Sequence, residues 1–461
     1  MATIHEPDTA LTGSFAGQIL RPGDPGFDEA RAVWNGMFDR RPAMILRCRT
    51  TEDVVAAVGV ARTTGLEVAV RAGGHSLSGQ STTEGGLLID LSPMRGIEID
   101  TERRLARVEP GVTWSELDAA TGALGLATTG GLIPSTGVAG LTLGGGIGWL
   151  MRKHGLACDN LVGAEVVTAD GRRIQASAAG DPELLWGLRG GGGNFGIVTS
   201  FELWLHPVST VLGGLMLFPI DRGREVLRTY RSWVETLPDD FTTLAAVAAA
   251  PPAPFVPRQL VGQPVVAILG CFVGDIEAGQ ALLAPIRAQE PLADVFGPMP
   301  YPALQAMLAD GAPAGLRSRT SSGYLADLDD ELIDVILGLG AALPTPLSQI
   351  HLHQMGGAVA RVGEADTAFG HRRAAWTYNL LATWEDPSDD ERSTHWVANL
   401  VAAVRPHATG GVYVNFLGAG EEDRVRSAYD ATTYRRLAEL KRRLDPENLF
   451  RRNHNIPPAT S

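Results

Sequence analysis

Residues 68–91 run Val68-Ala69-Val70-Arg71-Ala72-Gly73-Gly74-His75-Ser76, continue as LSGQSTTEGG, and end in Leu87-Leu88-Ile89-Asp90-Leu91. Two short apolar runs, each the length of a buried strand, flank a glycine-rich loop. Adjacent glycines take φ > 0 and let backbone N–H groups converge with no Cβ in the way, which makes an anion nest. A pyrophosphate fits such a nest, with Ala72, Gly73, Gly74 and Ser76 around it and Arg71 adding charge. His75 then projects at a fixed distance from the phosphate site. The plain alternative is an ordinary loop histidine, one of ten in the chain.

Length and composition bound the rest. A chain of 461 residues exceeds what one core usually supports, so two domains are expected. It is 44% hydrophobic and 20% charged, with a net charge of −13 and no Lys/Arg-rich block, so nucleic acid is not an expected partner. Three scattered cysteines without a C-x-x-C spacing argue against a disulfide framework or a metal site. The opening residues have neither a basic nor an apolar leader region, and no stretch approaches a membrane span. A soluble, cytoplasmic protein is the expectation.

Outward from the His75 loop, the pattern alternates short helices and strands. A helix is expected from about Asp28 to Phe38. Another starts at Thr50-Thr51-Glu52-Asp53 and stops at Gly65. Strand Glu67–Val70 precedes the loop; Gly96–Ile99 and Leu105–Val108 read as a hairpin. Thr113-Trp114-Ser115-Glu116 is a capping box opening a helix to Gly125. This fits an α+β domain better than a doubly wound sheet.

Two further glycine clusters follow. Gly130-Gly131-Leu132-Ile133-Pro134-Ser135-Thr136-Gly137-Val138-Ala139-Gly140-Leu141 leads into Gly144-Gly145-Gly146-Ile147-Gly148. Such density means main chain lying flat against something planar and polar. A Rossmann loop needs a strand before it and a helix with an acid about 20 residues on, and that context is missing here. Gly190–Gly193 then runs through Asn194-Phe195-Gly196-Ile197-Val198 into a β-rich stretch, which a flexible linker would not do.

From about His206 the texture changes to long apolar alternations and amphipathic helices, near Glu277–Gln289 and Asp329–Leu339. Three strands are expected at Ser348–Met355, Thr377–Trp384 and Gly411–Phe416. Side chains two apart share a strand face, so Gln349, His351 and His353 line one side. Tyr378, Leu380 and Ala382 likewise share a face. The two histidines are either a solvated strand face or a polar ceiling in which a neutral imidazole takes a proton.

Taken together, R-A-G-G-H at Arg71–His75, the Gly130–Gly148 segment, G-G-N-F-G-I-V at Gly192–Val198, Tyr413-Val414-Asn415-Phe416 and the ending Asp445-Pro446…Asn448-Leu449-Phe450…Asn453-His454-Asn455-Ile456-Pro457 resemble one family in order. It is the vanillyl-alcohol oxidase/p-cresol methylhydroxylase superfamily of FAD oxidases, in the branch containing berberine bridge enzyme and 6-hydroxy-D-nicotine oxidase. The resemblance spans about Pro22 to Pro458. It implies an α+β, two-domain PCMH-type FAD-binding fold with an inserted substrate domain on an antiparallel sheet. The expected division is 1–205 for FAD, 206–415 for substrate and 416–461 returning to the first domain.

The same resemblance implies FAD bound covalently through His75 to its 8α-methyl carbon. A second, cysteinyl bond found in many members falls at Ile133, so attachment through one histidine is expected. Pro134, Thr136, Gly137, Gly140, Leu141, Gly144, Gly145, Gly146 and Gly148 are expected along the flavin ring. Gly193, Asn194, Gly196, Ile197 and Val198 belong to the pyrophosphate and adenosine end, and Tyr413, Asn415, Asn453 and Asn455 border the ring. The family tyrosine that serves as a base is Phe416 here, so Tyr378, His351 or His353 has to substitute. The implied activity is hydride removal from a small organic substrate (alcohol, amine or secondary metabolite), with molecular oxygen reduced to peroxide. Thr136 with Leu141 also resembles the pocket of flavin N5-oxide oxygenases, and a non-catalytic flavin-binding protein is the remaining class.

Overall fold

The computed structural model describes residues 15–460; the reading of a missing leader falls largely on positions outside that range. The chain first builds a four-stranded sheet in the order Gln18–Leu20, Met44–Arg47, Leu87–Asp90, Val68–Arg71, with the last two pairings parallel. Parallel neighbours cannot be joined by a tight hairpin. The connection over residues 72–86 therefore travels away from the sheet, and it carries the glycine loop and His75. Thr50 and Asp53 cap each other's backbone to start helix Thr51–Thr64, which Gly65 ends in the left-handed conformation. Val54, Ala57, Val58 and Ala61 of this helix share a buried core with Leu87 and Ile89.

A second, antiparallel sheet follows in the order Ile97–Asp100, Leu105–Val108, Ile197–Trp204, Leu161–Val167, Arg173–Ser177. The third sheet is the largest and wholly antiparallel. Its order is Ala293–Asp294, Thr210–Pro219, Pro264–Phe272, Phe241–Ala249, Gln349–Gln354, Trp376–Trp384, Arg317–Leu325. Alternate residues of these strands point to opposite faces. Met216, Phe218, Val266, Ile268, Ile350 and Leu352 pack against helices Gly223–Val234, Asp330–Gly340 and Asp390–Val404. Leu215, Leu217, Leu244 and Leu269 face the other way. This is an α+β fold.

The last helix, Ala431–Leu444, starts at Asp430, whose carboxylate accepts from the Thr432 and Thr433 N–H groups. Lys441 in it is fully buried and donates to Asp445 Oδ2 at 2.6 Å, Asn194 O at 2.8 Å and Phe450 O at 2.9 Å. Removing one partner of such a pair strands the other charge, at a cost of about 3–5 kcal/mol. The lysine thus fastens the final segment to the Gly192–Val198 turn.

Three elements differ from the sequence expectation. The helix over Asp28–Phe38 is only Phe27–Arg31. Beyond it the backbone is drawn into long-range bonds, Trp34 N–H to Gly74 O at 2.9 Å and Gly315 N–H to Trp34 O at 2.8 Å. The Glu277–Gln289 helix is broken into Ile276–Leu282 and Ala284–Arg287, because Pro285 lacks an N–H and crowds the preceding turn. Gly411–Phe416 is no strand; Val414–Phe416 forms a 3-10 turn closed by Phe416 N–H to Tyr413 O. Among the described residues no helix is long and apolar enough to cross a membrane.

Candidate active site

Between the glycine loops and the third sheet lies a cavity of about 1280 Å³, above the ~300–1,000 Å³ usual for one small ligand. Its floor is backbone. Gly73 and Gly137 meet face to face, so closely that a Cβ on Gly73 would lie 2.5 Å from the Gly137 Cα, and one on Gly137 2.8 Å from the Gly73 Cα. The Gly137 side is fixed by the capped helix Trp114–Gly122, where Trp114 N–H donates to Thr136 O at 3.0 Å and Ser115 N–H to Pro134 O at 2.9 Å. Ala72, Gly73, Gly74, His75, Ser76, Thr136, Gly137, Gly140 and Leu141 all line the cavity. Pro134 does not; its carbonyl holds the loop from behind.

The His75 ring stacks on Trp34 with centroids 4.6 Å apart, and its Nε2 lies 3.5 Å from Ser135 Oγ. Trp34 is itself anchored, its Nε1 donating to Ala312 O at 3.1 Å. Burial pushes the imidazole pKa down to about 4, so it carries a free lone pair at neutral pH. Trp34 had no motif to announce it in the sequence.

Gly144 lines the cavity, whereas Gly145, Gly146 and Gly148 do not border it. They shape the turn that carries it: Gly145 and Gly146 have φ of 135° and 93°, and a Cβ on Gly148 would sit 1.7 Å from Gly130 O. The hydroxyl of buried Tyr413 accepts from Gly146 N–H at 2.8 Å. Asn415 Nδ2 donates to that same hydroxyl and to Leu141 O, both at 2.9 Å. Both residues line the cavity from this side.

At the opposite end, Arg71 is not where the sequence reading put it. Its guanidinium turns away from the cavity, paired with buried Asp90 at 3.4 Å and bonded to Ala30 O and Ala32 O. The guanidinium that does line the cavity is that of Arg452, missed in the sequence. It bonds Thr82 O through Nε at 2.8 Å and lies 3.5 Å from Glu67 through Nη1, while its buried Nη2 has no hydrogen-bond partner among the described residues. Gly193, Asn194, Gly196, Ile197 and Val198 line this end. Asn194 uses its amide to clamp backbone, donating to Gly191 O and His454 O and accepting from Ile456 N–H. Of the tail asparagines, Asn453 lines the cavity and Asn455 does not; His454 does instead.

Overhead, Gln349, His351, His353 and Asn379 face the cavity. His351 Nε2 lies 2.7 Å from Gln349 Oε1, and burial lowers its pKa to about 4. His353, pushed well below the ordinary histidine value by burial and then by His351, has an Nε2 with no hydrogen-bond partner among the described residues. Its ring lies 5.7 Å from Phe416, which meets Tyr413 at 4.8 Å. Tyr378 is a correction: it pairs across the ladder with Leu352, on the helix-covered face, and does not reach the cavity. The strand period decides this, because it separates Tyr378 from Asn379 by one residue and a whole sheet.

Ser81 Oγ, Arg452 Nη2, Asn453 Oδ1 and His353 Nε2 are all buried without a hydrogen-bond partner among the described residues, and buried polar groups require one. A glycine-lined floor with one guanidinium and a histidine among its lining residues fits FAD, and fold and site together define an FAD-dependent oxidoreductase.

Comparison with known proteins agrees. Residues 42–177 match the FAD binding domain family and residues 412–457 the berberine and berberine-like family. An uncharacterised FAD-linked oxidoreductase of Bacillus subtilis is 31% identical over 460 residues, 98% of each chain. (R)-6-hydroxynicotine oxidase of Paenarthrobacter nicotinovorans is 30% identical over 97% of this chain and 98% of that protein. The crystal structure of 6-hydroxy-D-nicotine oxidase from Arthrobacter nicotinovorans superposes with a TM-score of 0.87 at 29% identity, covering 97% of this chain and 99% of that one. The chain belongs to the berberine-bridge-like family of FAD-linked oxidoreductases.

Proposed function

We propose that this oxidoreductase is an oxidase whose FAD is joined covalently to His75, with a small organic molecule as electron donor and oxygen as acceptor. When bound, the flavin supplies a two-electron acceptor for hydride and passes the electrons on to oxygen, released as hydrogen peroxide. The observation that carries the reading is the His75 ring: neutral, clamped on Trp34 and facing the cavity from a loop that cannot shift without separating Gly73 from Gly137. A nucleophile needs that free lone pair, and a fixed loop holds it in one place. Ile133 stands where a second covalent link would need a cysteine, which leaves the histidine alone.

Roles follow by position. The Gly73–Gly74 and Gly192–Gly193 backbone, with Arg452, holds the pyrophosphate, and Asn453 borders the same groove. Thr136, Leu141, Gly144, Tyr413 and Asn415 support the ring. His353 takes the substrate proton through its unpartnered Nε2, with His351 held beside it by Gln349. We assign the FAD unit to residues 1–205 and 416–461 and the substrate unit to 206–415. Three separate, buried thiols at Cys48, Cys158 and Cys271 favour the cytoplasm.

A second reading, an oxygenase, keeps its footing because Thr136 and Leu141 both line the cavity. Two measurements test the proposal. Acid precipitation leaves yellow colour in the pellet of the wild type and in the supernatant for His75→Ala. One peroxide per substrate oxidised supports the oxidase; substrate loss without peroxide supports the oxygenase.

A further inference from the structure

The cavity face of the large sheet is divided across its strands. On Thr210–Pro219, Pro264–Phe272 and Phe241–Ala249 it presents Leu215, Leu217, Ala267, Leu269, Leu244 and Ala246. On the next two strands it turns mainly polar, with Gln349, His351, His353 and Asn379 beside a single leucine, Leu381. Adjacent strands lie about 4.8 Å apart, so three apolar strands cover roughly 10 Å. Ala246 and Ala267 are short side chains that give this half depth. None of the residues lining this apolar half is charged; Asp310 lies on a separate connection and Arg452 on the C-terminal segment, bonded to Thr82.

The mouth continues the same chemistry. The connection between strands Phe241–Ala249 and Pro264–Phe272 carries Phe255 and Val261, 37% and 38% exposed, and both border the cavity. Pro251, Pro252, Pro254 and Pro257 limit the conformations of this connection. Large exposed apolar side chains at a cavity rim mark a surface that receives an apolar ligand. The polar half lies at the other end of the path, where His353 meets Phe416 and, through it, Tyr413 and the glycine turn.

We infer that the substrate is an uncharged amphipathic molecule, with an apolar body about 10 Å across and its oxidisable group at one end. This rests on the oxidoreductase reading and names its substrate class. A sugar would press hydroxyls against Leu217 and Leu269, where nothing replaces their water bonds, and a carboxylate body would lose its hydration unpaired. The apolar body lies under the leucine–alanine half. Its single polar group meets the row of Gln349, His351 and Asn379.

The test is a titration of the flavin-loaded protein, read by the change in flavin absorbance, with 2-naphthalenemethanol, 2-naphthoate and cellobiose. The naphthyl alcohol should bind at least tenfold more tightly than either of the others. Ala267→Phe, which fills the apolar half, should weaken it at least tenfold with flavin content unchanged. Phe255→Asp, at an exposed position that leaves folding alone, should weaken it several-fold. Equal or tighter binding of cellobiose or naphthoate overturns the inference. So does a flavin spectrum indifferent to the naphthyl alcohol, or the same affinity in both variants. The absorbance is followed without oxygen, so it reads the ligand whether the flavin is perturbed or reduced and whether or not it is covalently attached; failure here leaves the oxidase reading standing, and acid-extractable flavin would leave this one standing.

Discussion

The floor and the ceiling of the cavity are built on opposite principles. The floor is main chain against main chain: Gly73 on Gly137, and Gly148 on the Gly130 carbonyl, with no space for a single carbon. The ceiling is side chains on a regular antiparallel sheet, whose backbone bonds are complete whatever the residues are. A floor of this kind fixes one ligand and tolerates almost no change. A ceiling of this kind can be rewritten residue by residue, so the cofactor belongs to the family and the substrate to the individual protein.

The sharpest way to break this contrast is a small enlargement on each side, one carbon on the floor and two on the ceiling. Gly137→Ala puts a Cβ 2.8 Å from the Gly73 backbone and should cost about 1–3 kcal/mol, with flavin content of the purified protein falling well below that of wild type. Ala246→Val on the ceiling should keep full flavin content. Equal flavin loading in the two variants would remove the distinction between the surfaces.

Next in size is the charge at the phosphate end. Arg452→Gln in a His75→Ala background should weaken FAD about 10–100-fold, the worth of one charge-assisted hydrogen bond. Arg71→Gln should change FAD affinity less and stability more, since Arg71 serves Asp90. Equilibrium dialysis against FAD separates the two.

The ceiling histidines set a smaller, pH-dependent effect. His351 is pushed down to about 4 and His353 well below the ordinary histidine value, chiefly by burial. Below about 6.5, the ordinary histidine value, the unfolded chain binds protons that the folded chain refuses. Stability therefore rises with pH in this window and falls from about pH 6.5 toward 4. The urea midpoint should drop across that range, and drop less in His351→Gln. A flat profile would mean that these rings are hydrated.

The smallest effect belongs to Tyr378→Phe, which should leave turnover within about twofold, because the ring sits among Leu352, Leu380 and Trp376 behind the sheet. A hundredfold loss would return Tyr378 to the reacting side.

These positions also mark how far the sequence could be read. The floor was legible as a backbone surface because glycine clusters state a backbone requirement directly, and Gly73, Gly74 and Gly137 all line the cavity. Period-two alternation likewise placed His351 and His353 on one face. The same alternation could not say which face meets the cavity, so Tyr378 was misplaced. Arg71 was misread because its loop position hid a partner, Asp90, on the neighbouring parallel strand. Trp34 and Arg452 lie far along the chain from the loops they complete, and only the fold brings them there.

The central claim is that the floor holds its cofactor by a bond to His75, and acid precipitation of the purified protein tests it most directly. The account predicts a yellow pellet for wild type and, for His75→Ala, a colourless pellet under a yellow supernatant. Flavin released from the wild type by acid would contradict it.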